Sequence, residues 1–110
     1  MADIMTGAEA ARCAAEDAGV RLATGVPGYP VNGLFTLLQH ADIDARWQLN
    51  EKIAFEMALG ASAGGRRALV VSKHVGLNVM ADPLIIAATH GIGSGIVVIA
   101  GDDPGAALSQ

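Results

Sequence analysis

Four short segments rich in apolar and β-branched residues recur along the chain, at 20–25, 43–49, 68–72 and 96–100. Their length and composition are typical of β-strands. The last two runs are continuously apolar, as in strands that are covered on both faces. The pattern therefore predicts four strands, of which at least two are fully buried.

Helical patterns fill the stretches before and between these runs. Thr6 and Glu9 have the spacing of a capping box, which predicts a first helix. Asn32 is the expected N-cap of a second helix, and Asn50 opens a third that carries a row of small residues suited to close packing. A fourth helix is predicted over 76–90, with a break or kink at its internal proline, which lacks an N–H donor.

Strands and helices thus alternate four times, and right-handed crossovers between parallel strands place helices on both faces of the sheet. The predicted fold class is α/β, a three-layer parallel sheet with helices on both faces. A chain of 110 residues has room for one domain with one core, covering 1–110. Because the pattern calls for another helix and strand after residue 100, we expect this domain to be truncated.

Composition narrows the class of function. The net charge is -4, with only seven Lys and Arg, so no basic surface is available for nucleic acid. Mean hydropathy is +0.42, but this comes largely from alanine, and no apolar run approaches the roughly 20 residues that span a bilayer. We expect no membrane partner, no signal peptide and a cytoplasmic location. Cys13 is the only cysteine, which excludes a disulfide framework or an iron–sulfur cluster held by this chain alone.

Ligands of open parallel sheets bind beyond the carboxyl ends of the strands, so the residues that follow each predicted strand are the candidates for chemistry. Polar residues and glycines concentrate there. The four segments are Gly25-Val26-Pro27-Gly28, Asn50-Glu51-Lys52, Lys73-His74-Val75-Gly76 and Asp102-Asp103-Pro104-Gly105.

From the residues alone, each candidate has two interpretations. Glu51 is either a cleft-facing acid or an ordinary first-turn acid favoured by the helix dipole. His74 could orient a substrate carbonyl or donate a proton, or it could be a loop histidine bonded to backbone. Asp102 and Asp103 lack a third ligand nearby in sequence, so we expect a turn or a helix cap and no metal site.

These segments also carry a family resemblance. The blocks Trp-Gln-Leu-Asn-Glu-Lys at 47–52, Lys-His-Val-Gly-Leu-Asn-Val at 73–79 with Ala-Asp-Pro at 81–83, and Asp-Asp-Pro-Gly at 102–105 stand in the family's order. They resemble the alpha subunit of indolepyruvate ferredoxin oxidoreductases, within the 2-oxoacid:ferredoxin oxidoreductase family. The match covers roughly 6–110 and falls on the N-terminal pyrimidine-binding (Pyr) domain, which takes part in binding thiamine diphosphate.

The resemblance implies roles for individual residues. Glu51 would be the catalytic acid that contacts N1′ of the aminopyrimidine and, by sharing a proton, favours the imino form that activates the cofactor. Relatives usually carry Pro-Gly-Thr-Pro where this chain has Pro-Gly-Tyr-Pro at 27–30, so substrate preference is expected to differ. The implied site comprises Glu51 and His74 as catalytic residues, Glu51, Pro27, Gly28 and Asn78 as cofactor-binding residues, and Tyr29 and His74 facing the substrate.

The resemblance also implies partners. Mg²⁺ and the diphosphate would be bound by a separate PP domain or chain, and iron–sulfur clusters, ferredoxin and coenzyme A would belong to partner parts. The chain is therefore expected to act on a 2-oxoacid only within a homo- or hetero-oligomer, with dimerisation through the helix that starts at Asn50. Two alternatives remain: the Pyr subunit of a non-oxidative decarboxylase that resembles sulfopyruvate decarboxylase, and a non-catalytic α/β remnant.

Overall fold

The computed structural model describes residues 4–105 and contains one sheet of four parallel strands. The order across the sheet is β2-β1-β3-β4, so the second strand along the chain lies at one edge and the fourth at the other. Because all strands are parallel, their carboxyl ends meet at the same edge of the sheet. The strands are β1 (Val20–Gly25), β2 (Asp44–Trp47), β3 (Arg67–Lys73) and β4 (Ile96–Gly101).

Four helices cover the two faces of this sheet. They are α1 (Gly7–Asp17), α2 (Asn32–Gln39), α3 (Glu51–Ala63) and α4 (Leu77–His90), and a single 3₁₀ turn, His74–Gly76, joins β3 to α4. Helices α1 and α2 pack on one face, while α3 and α4 pack on the other. The predicted three-layer α/β fold is confirmed.

The alternation of side chains along β3 supplies both cores. Leu69 and Val71 point into the core formed with α1 and α2, whereas Ala68 and Val70 point into the core formed with α3 and α4. This is the two-residue period of a strand with both faces covered. The continuous apolar run in the sequence therefore reflects burial on two sides.

The expected caps of the first and third helices are confirmed. The hydroxyl of Thr6 accepts from the N–H of Glu9, whose carboxylate accepts from the N–H of Thr6. Asn50 Oδ1 accepts from the N–H of Ile53 at 2.9 Å. Both contacts are local, which explains why sequence spacing revealed them.

Two local expectations were wrong. Asn32 is the first residue of α2 rather than its cap, since its Oδ1 accepts instead from the N–H of Gly28 at 2.8 Å. Helix α4 continues without a break through Pro83, which is buried. An added Cβ at Gly60 would have nothing within 4 Å. The small residues of α3 that are fully buried are Ala54 and Ala58, in agreement with the close packing expected of this helix.

No helix within residues 4–105 combines the length and the apolar character needed to cross a membrane.

Candidate functional site

The sheet order creates a crevice between the carboxyl ends of β1 and β3. After β1 the chain leads to α2 on one face, and after β3 it leads to α4 on the opposite face. The two connections therefore diverge at neighbouring strands, which is where open α/β sheets bind ligands. All four segments predicted to carry chemistry lie at this edge of the sheet.

Glu51 is the first residue of α3 and is half-buried. A Cβ built on Gly76 would lie 2.5 Å from Glu51 Cγ, 2.7 Å from Glu51 Oε1 and 2.2 Å from Ser72 Oγ. The glutamate side chain therefore lies directly against the start of α4, and it bridges the segments that follow β2 and β3. Within the described residues, its carboxylate has no hydrogen bond or ion pair. The group is thus free to interact with a ligand.

Sequence reasoning placed Gly76 in a candidate segment but gave it no role, and it did not identify Ser72. The available signal was a glycine placed soon after a buried strand, where another chain element must pass closely. Gly76 has φ -68° and ψ -15°, so its backbone would suit any residue. The requirement for glycine is therefore one of space beside Glu51.

The loop that follows β1 is fixed by its neighbours. The N–H of Val31 donates to the carbonyl of Gly28, and a Cβ added to Gly28 would lie 3.3 Å from Lys73 Cβ. On the β4 side, a Cβ at Gly101 would lie 2.4 Å from Val31 Cγ1. The loop is therefore packed against the ends of β3 and β4.

Two predicted residues on this loop are open to solvent. Pro27 is exposed and the Tyr29 side chain is 62% exposed. Asn78, in the first turn of α4, is exposed as well. These placements are near the crevice, and the cofactor- and substrate-facing roles of the three residues stay predictions.

A second group of polar side chains joins the ends of β3 and β4. Lys73 Nζ lies 3.3 Å from Asp103 Oδ1, and the two side chains are 13% and 7% exposed. His74 Nδ1 lies 3.5 Å from Asp102 Oδ1, which also accepts from the N–H of Asp103 at 2.9 Å. The expected turn is present at 104–105, but the aspartates do more than shape it.

An ion pair connects the two helices beside Glu51. Lys52 Nζ lies 3.0 Å from Asp82 Oδ2, linking the first turn of α3 to the middle of α4. The hydrogen bond to Asp82, and then its negative charge, raise the pKa of the Lys52 ammonium. Both side chains are largely exposed, so we expect this pair to contribute little to stability.

No protein-family model matches the sequence, but curated relatives do. The chain is 39% identical to the indolepyruvate oxidoreductase subunit IorA of Archaeoglobus fulgidus and 40% identical to that of Methanothermobacter marburgensis, in each case over 96% of its length. The IorA of Thermococcus kodakarensis is 34% identical over 97% of it. The chain spans only 17–18% of the length of these relatives, at their N-terminal end. Over that segment, the chain belongs to the IorA family of indolepyruvate oxidoreductase subunits.

Proposed function

We propose that this chain is the Pyr part of a thiamine-diphosphate-dependent 2-oxoacid ferredoxin oxidoreductase with an indolepyruvate-like substrate. The observation that carries the proposal is the position of Glu51 at the crevice, with its carboxylate unpaired within residues 4–105 and packed against Gly76. The relatives' names support an oxidoreductase with several subunits. The cofactor and the Pyr role rest on the chemistry of the site.

The side chains present fit an aminopyrimidine. A carboxyl group that can share a proton with a ring nitrogen is needed, and Glu51 offers one without competition from a described partner. The glycine at position 76 leaves the space that this side chain occupies. When bound, thiamine diphosphate supplies the carbon nucleophile that attacks the carbonyl group of a 2-oxoacid.

Glu51 would hold a proton at N1′ of the pyrimidine, and the geometry supports glutamate over aspartate or glutamine in this role. The side chain starts from the first residue of α3 and must pass over Gly76 to reach the crevice. Aspartate is one methylene shorter and would stop short of that position. Glutamine keeps the length but cannot exchange the proton.

The other predicted residues would surround this acid. Pro27, Gly28 and Asn78 would contact the cofactor, while Tyr29 and His74 would face the 2-oxoacid. His74 directly follows β3, which places it beside the crevice. The diphosphate and Mg²⁺ would be bound by a separate PP domain or chain. Iron–sulfur clusters on partner parts would pass electrons to ferredoxin, and the acyl group would pass to coenzyme A.

The test compares Glu51→Gln with Glu56→Gln in the native protein, purified together with its partner chains. Glu56 is an exposed residue of the same helix and serves as the matched control. Activity is measured as thiamine-diphosphate-dependent reduction of a low-potential dye with several 2-oxoacids, alongside cofactor binding. Loss of the proton-sharing group should lower the rate by about 10²–10⁴-fold in Glu51→Gln alone.

Other outcomes point elsewhere. Full activity in Glu51→Gln contradicts the role given to that residue. Release of carbon dioxide without dye reduction would indicate a non-oxidative decarboxylase. Absence of cofactor binding by the wild type would indicate a non-catalytic remnant.

A further inference from the structure

Three ligand atoms converge where β3 and β4 end. His74, Asp102 and Asp103 each contribute one ring nitrogen or carboxylate oxygen, and these atoms all lie within 4.8 Å of one another. His74 follows β3 and the two aspartates follow β4, which is its neighbour in the sheet. Parallel pairing therefore assembles the group from segments far apart in sequence.

Two of these side chains hold buried atoms that the described protein does not satisfy. Asp103 is 7% exposed, and its Oδ2 is buried without a hydrogen-bond partner in residues 4–105. In the same part of the chain, His74 Nδ1 is also buried and has no hydrogen bond. Buried polar atoms are rarely left unpaired, because they lose water and gain nothing in return. Both atoms therefore call for a partner that residues 4–105 do not supply.

The spacing indicates what kind of ligand fits. His74 Nδ1 and Asp102 Oδ1 are 3.5 Å apart, which is too long for a good hydrogen bond. Two ligands bound at about 2.0–2.2 Å to a tetrahedral zinc ion lie about 3.3–3.6 Å apart. The pair therefore has the separation of two atoms that share a metal ion.

Charge is consistent with a cation, despite a nearby ammonium group. Two carboxylates and Lys73 leave one net negative charge when His74 is neutral. Lys73 Nζ lies against Oδ1 of Asp103, whereas the unpaired oxygen is Oδ2. A second group that holds one oxygen of a ligating carboxylate orients the other oxygen, as is usual around protein metal ions.

We propose that His74, Asp102 and Asp103 bind a divalent transition-metal ion of the Zn²⁺ class. One imidazole and two carboxylates are a donor set that suits Zn²⁺ better than Mg²⁺ or Ca²⁺, which favour oxygen ligands alone. A metal ion on Nδ1 would hold the remaining ring proton of His74 on Nε2, so that the ring becomes a fixed hydrogen-bond donor. The inference does not depend on the cofactor assignment.

The sequence predicted no metal site, because two adjacent aspartates had no third ligand close in the chain. The third ligand comes from the neighbouring strand, and Asp103 becomes buried only when β3 and β4 pair. Neither fact is visible in residue spacing.

The experiment uses the native protein with its co-purifying chains, treated with EDTA and then titrated calorimetrically with Zn²⁺ alone. Wild type is compared with His74→Ala and Asp102→Asn, and His90→Ala is the control. His90 is an exposed histidine at the end of α4. The side chain of Asp102 is 64% exposed, so Asp102→Asn should fold normally even if His74→Ala does not.

Wild type and His90→Ala should bind one more Zn²⁺ per chain than the two site variants, or bind it at least about 100-fold more tightly. Thermal unfolding of the metal-free forms checks that all four proteins fold. Equal Zn²⁺ stoichiometry and affinity in the wild type and Asp102→Asn would overturn the proposal. So would the absence of Zn²⁺ binding by the folded wild type.

Discussion

Replacing Gly76 with alanine tests whether the start of α4 positions Glu51. The backbone at this position lies in the right-handed helical region, so alanine is tolerated conformationally. The new methyl group would nevertheless lie 2.5 Å from Glu51 Cγ and 2.2 Å from Ser72 Oγ. Either the two side chains or the helix must move.

The size of the movement follows from ordinary contact distances. Carbon atoms in contact lie about 3.5–4.0 Å apart, so Glu51 Cγ must move by about 1 Å or more. Such overpacking typically costs about 1–3 kcal/mol of stability. A catalytic group displaced by about 1 Å can lose about 10²-fold in rate. We therefore expect a folded protein with a moderately lower unfolding midpoint and a much lower rate.

The assay measures thermal unfolding and thiamine-diphosphate-dependent dye reduction on the native complex. Gly60→Ala is the matched control, because Gly60 lies in α3 with nothing within 4 Å of an added Cβ. Alanine there should stabilise the helix by up to about 1 kcal/mol and leave the rate unchanged.

Wild-type activity in Gly76→Ala would refute this reasoning, since Glu51 could not then depend on the space above Gly76. Equal losses of activity in both glycine variants would also refute it, because a general effect on folding would then explain the result.

Two further predictions concern the fold and a surface pair. Gly25→Ala should destabilise the protein by about 3 kcal/mol or more relative to Gly33→Ala. An added Cβ at Gly25 would lie 2.4 Å from the carbonyl oxygen of Val71, whereas Gly33 has open space. Similar unfolding midpoints of the two variants in denaturant would contradict this. The hydrogen bond and charge of Arg46 lower the pKa of Asp44. This pair therefore stabilises the fold slightly above the unfolded pKa of the aspartate and loses that effect as pH falls. In an NMR titration, Arg46→Gln should raise the Asp44 pKa, and an unchanged value would contradict the assignment.

The sheet was predictable because its signals are strong and local. The apolar run at 68–72 corresponds to a strand that is only slightly longer, Arg67–Lys73. The segment at 43–49 gave a shorter strand, Asp44–Trp47, at one edge of the sheet. The run at 96–100 is just as continuous, but it forms the other edge strand and Val97 is 57% exposed, so the expectation that this strand is buried on both faces was wrong.

The failures concern the start of one helix and the middle of another. Asn32 had a suitable position for a cap, but the nearby N–H of Gly28 provided another donor. Pro83 lacks a hydrogen-bond donor, yet α4 continues through it and the residue is buried. The helix and strand predicted beyond residue 100 fall largely outside the described residues, so they stay predictions.

The candidate site shows the same division. Its position at the carboxyl edge followed from parallel strands, and Glu51 and His74 lie where the alternation predicted them. Their contacts depend on the sheet order, which brings the segment after β3 next to those after β2 and β4. Sequence spacing could not place Gly76 under Glu51, or Asp103 beside Lys73.

The segment that follows β3 links the two proposals. Ser72 and Gly76 accommodate the glutamate, whereas Lys73 and His74, between them, contact the two aspartates after β4. Because the strand leads directly into a single 3₁₀ turn, four of the five positions from Ser72 to Gly76 lie next to these two groups. The metal ion and the acid would thus be positioned by one rigid stretch of backbone, whose strand is buried on both faces. We therefore expect Gly76, which has no side chain, to matter to the site because of the space that it leaves beside Glu51.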